Sequence, residues 1–188
     1  IYILLLSAVL IIGGSGCSVK NESSETKRPE PTLNEWQKDF LSEQKLPTEY
    51  EELNLTQRLS VAAIYEMIMY LEDKYGVTFE YTGYVRPQIL ENEYMTAIPK
   101  GGNELTDTVT VTRQDDGTLK DDYPNIVVRP YFEQMITDYV EDYFGSDDIR
   151  VFSTVTKTSV NDLTIITEET ISGNISGRST VFLSLIHI

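Results

Sequence analysis

The spacing of apolar residues changes from helical to strand-like at Gly76, and this change constrains the fold more than any other feature of the chain. Before Gly76, apolar side chains recur every three or four residues, as on one face of a helix. They are Leu55, Leu59, Ala62, Ala63, Met67, Leu71 and Tyr75. Beyond it, apolar and polar residues alternate over residues 77–85, which is the period of a strand with one buried face. Because Asn54-Leu-Thr-Gln57 can cap a helix and glycine can end one, the sequence predicts a helix over residues 55–75 followed by a strand.

Further elements are predicted on both sides of this junction. Thr32-Leu-Asn-Glu35 has the form of a capping box and predicts a short helix over residues 33–43. Alternating stretches at residues 93–98 and 108–112 predict two more strands. Gln114-Asp-Asp-Gly117 is a turn signal that should return the chain as a hairpin through Leu119.

A second long helix is predicted from an aromatic-rich stretch that ends at Gly145. Its apolar residues are Tyr131, Phe132, Met135, Ile136, Tyr139, Val140, Tyr143 and Phe144. Pro130 suits the first turn of this helix, and the wide apolar stripe predicts burial against a sheet. Strands are then expected at residues 149–155 and 163–166, and a loop at residues 172–177.

The order helix, three strands, helix, strand indicates an α+β domain with two main helices packed on one face of a small, mainly antiparallel sheet. We expect this single domain, which looks incomplete, to span residues 32–182. Cys17 is the only cysteine among 188 residues, so no disulfide can support the domain. The domain must therefore be stabilised by its apolar core.

The N-terminal segment has the pattern of a signal peptide. An uncharged apolar run over residues 1–12 leads to Gly13-Gly-Ser-Gly16 and then to Cys17. The run is shorter than the roughly 20 apolar residues that a spanning helix needs. We therefore interpret residues 1–16 as a signal peptide whose true start lies upstream of Ile1.

The position of Cys17 resembles a lipobox, the signal for bacterial lipoprotein processing. The resemblance implies a diacylglyceryl group on Cys17 and cleavage just before it, and two acyl chains suffice for stable membrane anchoring. Gly14 stands where leucine is usual. The alternative is therefore an ordinary signal peptide, or an uncleaved anchor, with an incidental cysteine. Residues 17–31 are then the lipidated cysteine and a polar, disordered tether that lifts the domain off the outer face of the cell membrane.

The last residues, 183–188, resemble the translated sequencing-adapter tail found on fragmentary gene models, and we assign them no biological role. The only histidine, His187, lies in this tail. Histidine-dependent nucleophilic catalysis and histidine-based zinc or iron sites are therefore excluded. We expect no cofactor.

The strong acidity of the chain limits its partners. The net charge is −15, whereas nucleic-acid binding relies on lysine and arginine to neutralise phosphates. Anionic lipid headgroups also attract basic rather than acidic segments. We therefore predict a membrane link through the lipid alone, an envelope or protein partner, and no nucleic acid.

Two groups of side chains are weak candidates for binding. Asp115, Asp116, Asp121 and Asp122 surround a glycine and could offer oxygen ligands to Ca²⁺. They lack the ligand order of an EF-hand, however, so a solvated hairpin turn is the preferred interpretation. The second group, Tyr81, Tyr84 and Tyr94, could form an aromatic platform for sugar or peptide, although tyrosines at strand spacing are more often core residues or cross-strand pairs.

About half of the chain, from Ile64 to Val155, is similar to the small uncharacterised lipoproteins and exported proteins of Gram-positive gut bacteria. The similarity rests on turn and core motifs: Tyr70-Leu-Glu-Asp-Lys-Tyr-Gly76, Pro99-Lys-Gly-Gly102, Val109-Thr-Val111, Asp116-Gly117, Asp122-Tyr123 and Asp142-Tyr-Phe144. It implies an extracytoplasmic location and an α+β fold but no activity.

We therefore expect a lipid-anchored surface protein with a non-enzymatic binding role. The alternatives are a carboxylate-dependent envelope hydrolase and a transporter-associated ligand-binding lipoprotein.

Overall fold

The structure is a computed structural model that describes residues 32–89, 91–145, 149–160, 163–164, 166–171 and 173–183. The predicted signal peptide, Cys17, the tether up to residue 31, and the tail residues 184–188 with His187 lie outside these ranges. The predictions on those segments therefore stay predictions.

The fold class is α+β, as the sequence predicts, and the strands form two antiparallel sheets. The helices are α1 (Glu35–Glu43), α2 (Leu55–Tyr75), α3 (Tyr123–Phe144) and the short α4 (Glu168–Ile171). The strands are β1 (Phe79–Val85), β2 (Tyr94–Pro99), β3 (Val109–Arg113), β4 (Leu119–Asp121), β5 (Ile149–Thr158) and β6 (Ile175–Leu183).

The first sheet is a four-stranded antiparallel meander in the order β1-β2-β3-β4. Its pairing shifts at a bulge between Tyr81 and Gly83. The helices α1 and α2 pack on one face of it, and their apolar residues form the main core with those of the sheet. The core includes Phe40 and Leu41 of α1, Val61, Ile64, Met67, Ile68 and Leu71 of α2, and Met95, Ala97, Val109 and Val111 of the sheet.

The predicted bounds of α2 are confirmed at both ends. Asn54 and Gln57 form a reciprocal capping box, and Gly76 ends the helix with φ = 65°. The start of α1 differs from the prediction, because the capping box there is made by Asn34 and Gln37 rather than by Thr32 and Glu35.

The apolar stripe of α2 is only partly buried, which corrects the sequence interpretation. Leu55 is 70% exposed and Leu59 63% exposed, although both have the spacing of core residues. A helix of 21 residues is about 32 Å long, whereas a seven-residue strand spans about 24 Å. The sheet is therefore too short to cover the first turns of α2.

The second sheet is an antiparallel pair of β5 and β6, which are connected through α4, and it packs against α3. One prediction for α3 is wrong, and a second is confirmed only in part. The helix begins at Tyr123, so Pro124 occupies its first turn and Pro130 lies inside it. Pro130 has no N–H to donate, so one helical hydrogen bond is missing there. The predicted apolar stripe is only partly buried: Val140 is buried, whereas Phe132, Met135 and Ile136 are half-buried. Tyr131, Tyr139 and Tyr143 are exposed because the second sheet covers only the other side of the helix.

Strand β6 was not predicted from the sequence. It pairs with β5 from Ile149↔Leu183 to Thr158↔Ile175 and includes residues 175–177 of the predicted loop and the first residue of the predicted tail. Its residues 176–181 are all exposed, so no burial pattern marks the strand. The strand predicted at residues 163–166 is absent from the described part, where Leu163 and Thr164 lie in a turn.

Among the residues that the structure describes, no helix combines the length and the apolar character needed to cross a membrane.

Candidate functional site

The two aspartates before Gly117 shape the hairpin turn. Asp116 Oδ1 accepts hydrogen bonds from the Thr118 backbone N–H at 2.9 Å and from its hydroxyl at 2.6 Å. Gly117 adopts φ = 84°, which the turn requires. Hydrogen bonds from Thr118 lower the pKa of Asp116. The exposed pair Asp115 and Asp116 thus forms the solvated turn that the sequence favours.

Asp121 is the most heavily hydrogen-bonded carboxylate in the described part of the chain. Its side chain is fully buried and accepts from Lys74 Nζ at 2.6 Å, Tyr75 Oη at 2.7 Å and Tyr70 Oη at 2.8 Å. The Tyr123 backbone N–H also donates to it, at 3.1 Å. Burial raises the pKa of Asp121, but the hydrogen bonds from Lys74, Tyr75 and Tyr70 outweigh it and lower the pKa overall. Asp121 therefore ties the end of β4 to α2.

Asp122 has a different role, because its Oδ1 accepts the Thr110 backbone N–H at 2.6 Å at the start of α3. Burial raises the pKa of this carboxyl. The four aspartates considered as calcium ligands thus serve separate local structures. Within the described ranges, no three Asp, Glu, Cys or His side chains lie close enough together to hold a metal ion.

The three tyrosines considered as a platform lie on two faces of the first sheet. Tyr81 and Tyr84 pair with Ala97 and Met95, whose side chains are buried under the helices. Tyr94 adjoins Met95 in β2 and therefore lies on the opposite face. The ring of Tyr81 packs edge-on against Phe40. The structure does not bring the three rings together.

A groove of about 1020 Å³ lies beside the N-terminal half of α2, and we call it the α2 groove. One wall consists of Leu59, Ser60, Ala62 and Ala63 of α2. The other wall is formed by the end of β1 and the residues after it, from Tyr84 to Gln88. Two exposed residues of the α2 stripe, Leu59 and Ala62, thus line an open cleft rather than the core.

Two glutamates share one arginine in this groove. Arg113 Nη2 lies 2.7 Å from Glu66 Oε2, and Nη1 lies 3.2 Å from Glu66 Oε1, so this ion pair is bidentate. Arg113 Nε lies 2.5 Å from Glu93 Oε2, and the Tyr84 hydroxyl donates to the same glutamate. The hydrogen bond from Arg113 is the main reason that the pKa of Glu66 is lowered. The Glu66 carboxylate is therefore held in the ionised form.

The sequence interpretation missed this cluster. Glu66 and Arg113 are 47 positions apart, so no local spacing connects them. One signal was available: Arg113 follows Val109 and Val111 at positions that face the core. A charged residue at such a position normally requires a buried partner, which here is Glu93.

Arg86 lies in the same groove and is exposed. Its side chain donates to Thr56 Oγ1 at a long distance of 3.5 Å. The ion pairs among the described residues involve Lys74, Arg113 and Arg129, but not Arg86. The guanidinium of Arg86 is therefore available to a ligand.

A second groove, of about 680 Å³, runs along the exposed side of α3 and reaches Ile171 of α4. We call its α3 wall the acidic aromatic face. Its residues recur at helical spacing and are Tyr131, Gln134, Met135, Ile136, Asp138, Tyr139 and Asp142. From Tyr131 to Phe144 the helix contains four acidic residues and no lysine or arginine.

The described part of the chain is thus an α+β protein with two open grooves, one of mixed charge and one acidic. Comparison with protein-family models, with curated proteins and with solved structures finds no match to this chain.

Proposed function

We propose that this protein is a lipid-anchored, extracytoplasmic surface protein that binds a cationic protein segment without catalysing a reaction. The observation that carries the proposal is the acidic aromatic face of α3. Tyr131 is 48% exposed and Tyr139 69% exposed, and both line a groove. Contiguous exposed apolar surface of this kind is typical of interaction sites.

The chemistry of the face supports the choice of partner. Tyrosine is enriched at interfaces because it offers a large contact area. Asp138 and Asp142 lie on either side of Tyr139 along the helix, so a lysine or arginine could pair with a carboxylate while its stem packs on the ring. The net charge of −15 would attract such a partner from a distance.

The predicted anchor would hold the folded domain at the membrane surface. If residues 18–31 form the predicted tether, a flexible coil of 14 residues has an end-to-end distance of about 20 Å. The partner would then be another envelope protein or a secreted basic protein.

The binding part of the proposal is tested with a 20-residue helical peptide of lysine and leucine, and with a version that carries glutamate in place of lysine. We expect the full chain to bind the lysine peptide by titration calorimetry and not the glutamate peptide. The double variant Tyr139→Ala with Asp142→Asn should lose at least tenfold in affinity, because central aromatic and charged contacts dominate interfaces.

The matched control is Leu105→Ala with Asp115→Asn, which also removes one exposed apolar side chain and one negative charge. It should bind like the parent. Equal losses in the two double variants would mean attraction by net charge alone and would refute the assignment to α3.

The anchoring part is tested by replacing Cys17 with alanine. The parent should partition into membranes, and its N-terminus should carry the mass of a diacylglyceryl group. The Cys17→Ala variant should lose both properties. Membrane partition that is unchanged in the variant, with no lipid mass on the parent, would overturn the lipoprotein assignment.

The alternative, a carboxylate-dependent envelope hydrolase, draws support from the presence of Glu66 and Glu93 in one groove. A general acid needs a raised pKa, whereas the hydrogen bond from Arg113 lowers the pKa of Glu66. We therefore favour binding. Turnover of an envelope substrate that is lost in Glu66→Gln would reverse this choice. A transporter-associated ligand-binding role would also require a ligand in this groove.

A further inference from the structure

We propose that the α2 groove binds an aliphatic monocarboxylate, with Arg86 holding the carboxylate and the exposed apolar side chains of α2 and β1 contacting the hydrocarbon. This site is separate from the acidic aromatic face, so the two proposals stand or fall independently.

The distribution of charge in the groove favours binding of the carboxylate at one end. Arg113 carries one positive charge and is paired with two glutamates, Glu66 and Glu93, so that end has a net negative charge. Arg86 has no ion-pair partner among the described residues. An anion entering the groove is therefore attracted to Arg86 and repelled from the Arg113 end. A guanidinium can donate two parallel hydrogen bonds to a carboxylate, which fixes its orientation.

The apolar side chains that line the groove favour contact with the hydrocarbon part of the ligand. Leu59 is 63% exposed, and it is joined along the groove by Ala62, Val85 and Pro87. A bound hydrocarbon would remove this apolar surface from water, which is the main driving force for binding in such sites.

A peptide suits the groove less well. The backbone of a peptide would need hydrogen-bond partners along its whole length. The uncharged polar side chains that line the groove are Ser60, Gln88 and Tyr84. The Tyr84 hydroxyl already donates to Glu93. A hydrocarbon chain has no polar groups that need hydrogen-bond partners.

The volume of the groove is close to that of typical small-molecule sites. Small-molecule sites typically have volumes of about 300–1,000 Å³, and the α2 groove has about 1020 Å³. A ten-carbon chain would occupy part of this volume and could reach along the wall from Arg86 towards Leu59.

The probe is decanoate, titrated below its micellar concentration into the full chain carrying Cys17→Ser, which removes the predicted lipid. We expect saturable binding of one decanoate per chain by calorimetry. Methyl decanoate should bind at least fivefold more weakly, because it keeps the hydrocarbon but has no charge. The acetylated peptide Leu-Leu-Leu with a free carboxylate tests the peptide source, and it should bind more weakly than decanoate.

Two variants locate the site. Arg86→Gln should weaken decanoate binding at least fivefold, and Leu59→Asn should weaken it as well. Both positions are exposed, so the fold should be retained, which circular dichroism can verify. Arg150→Gln, which removes another exposed arginine on β5, is the matched control and should leave binding unchanged.

Absence of saturable binding to the parent would overturn the proposal. Equal binding by Arg86→Gln and Arg150→Gln would overturn the role of Arg86. Tighter binding of the peptide than of decanoate would show that the occupant is a chain terminus instead of an aliphatic acid.

Discussion

Replacement of Asp121 by asparagine should lower the free energy of unfolding by about 3 kcal/mol at pH 7. The buried carboxylate accepts hydrogen bonds from Tyr75 and the Tyr123 N–H through Oδ1, and from Lys74 and Tyr70 through Oδ2. Hydrogen bonds to a charged group contribute about 1.5–3 kcal/mol each. An asparagine amide nitrogen in place of Oδ2 would lose the bond from Lys74 Nζ, about 2 kcal/mol, and Tyr70 Oη would have to accept from the amide instead of donating to it. The bonds that remain would be to a neutral acceptor and about 1 kcal/mol weaker together.

The loss should not exceed this value by much, because the side chain of Lys74 is 44% exposed and can return to water. Urea denaturation followed by circular dichroism measures the change. By thermal melting the same loss corresponds to about 6–12 °C for a chain of this size. The control is Asp115→Asn in the exposed turn, which should leave stability unchanged.

The pH dependence provides an independent check. The pKa of Asp121 is lower in the folded than in the unfolded state. Its contribution is therefore fully present above the unfolded pKa of about 4, and it is lost as the pH falls through the folded pKa. The difference between the parent and Asp121→Asn should be constant from pH 5 to 8 and should shrink below pH 4.

Two results would refute this reasoning. One is a loss below about 1 kcal/mol at pH 7, which is less than a single hydrogen bond to a charged group contributes. The other is a difference that does not change between pH 5 and pH 2. If Ca²⁺ stabilised the parent but not Asp121→Asn, Asp121 would be a metal ligand instead of a structural acceptor.

Four further substitutions test the packing and the caps by the same denaturation assay. Met67→Ala should lower the free energy of unfolding by about 3 kcal/mol, because Met67 is fully buried between α2 and the sheet. Leu59→Ala should change it by less than about 0.5 kcal/mol, because Leu59 is exposed. Similar losses at the two positions would contradict the burial that the structure assigns. Gly76→Ala should cost about 1–2 kcal/mol, since φ = 65° is strained for a residue with a Cβ, and an unchanged midpoint would mean that the helix ends differently. Asn54→Ala should cost about 1 kcal/mol by removing the cap on Gln57 N–H, and the prediction fails if Asn54→Ala is as stable as the parent.

Local signals predicted much of the fold because the interactions they report are local. The capping box of α2 and the left-handed Gly76 join residues within one turn of each other. Strands β1, β2 and β3 follow from alternation, and the hairpin at Gly117 follows from its turn residues. The lipid anchor on Cys17 is also predicted from the sequence alone, and it stays a prediction.

The candidate sites depended on contacts between distant parts of the chain. Leu59 and Tyr139 have the spacing of core residues, but spacing alone does not show whether another helix or strand packs over them. The Arg113 cluster joins α2 to the ends of β2 and β3, so no stretch of sequence contains it. Strand β6 has almost no apolar alternation and is formed by pairing with β5.

By itself, then, the sequence determined the α+β class, the bounds of α2, the first three strands and the acidic character of the chain. Only the tertiary structure decided which side of α2 and of α3 is left open, because burial depends on the length and position of the sheets that pack against them. It also decided that Asp121 accepts hydrogen bonds from α2, since Lys74 and Tyr75 reach it only after β4 lies beside the helix. The two grooves have different causes: the first sheet is too short to cover the start of α2, whereas the second sheet is as long as α3 but covers only one side of it.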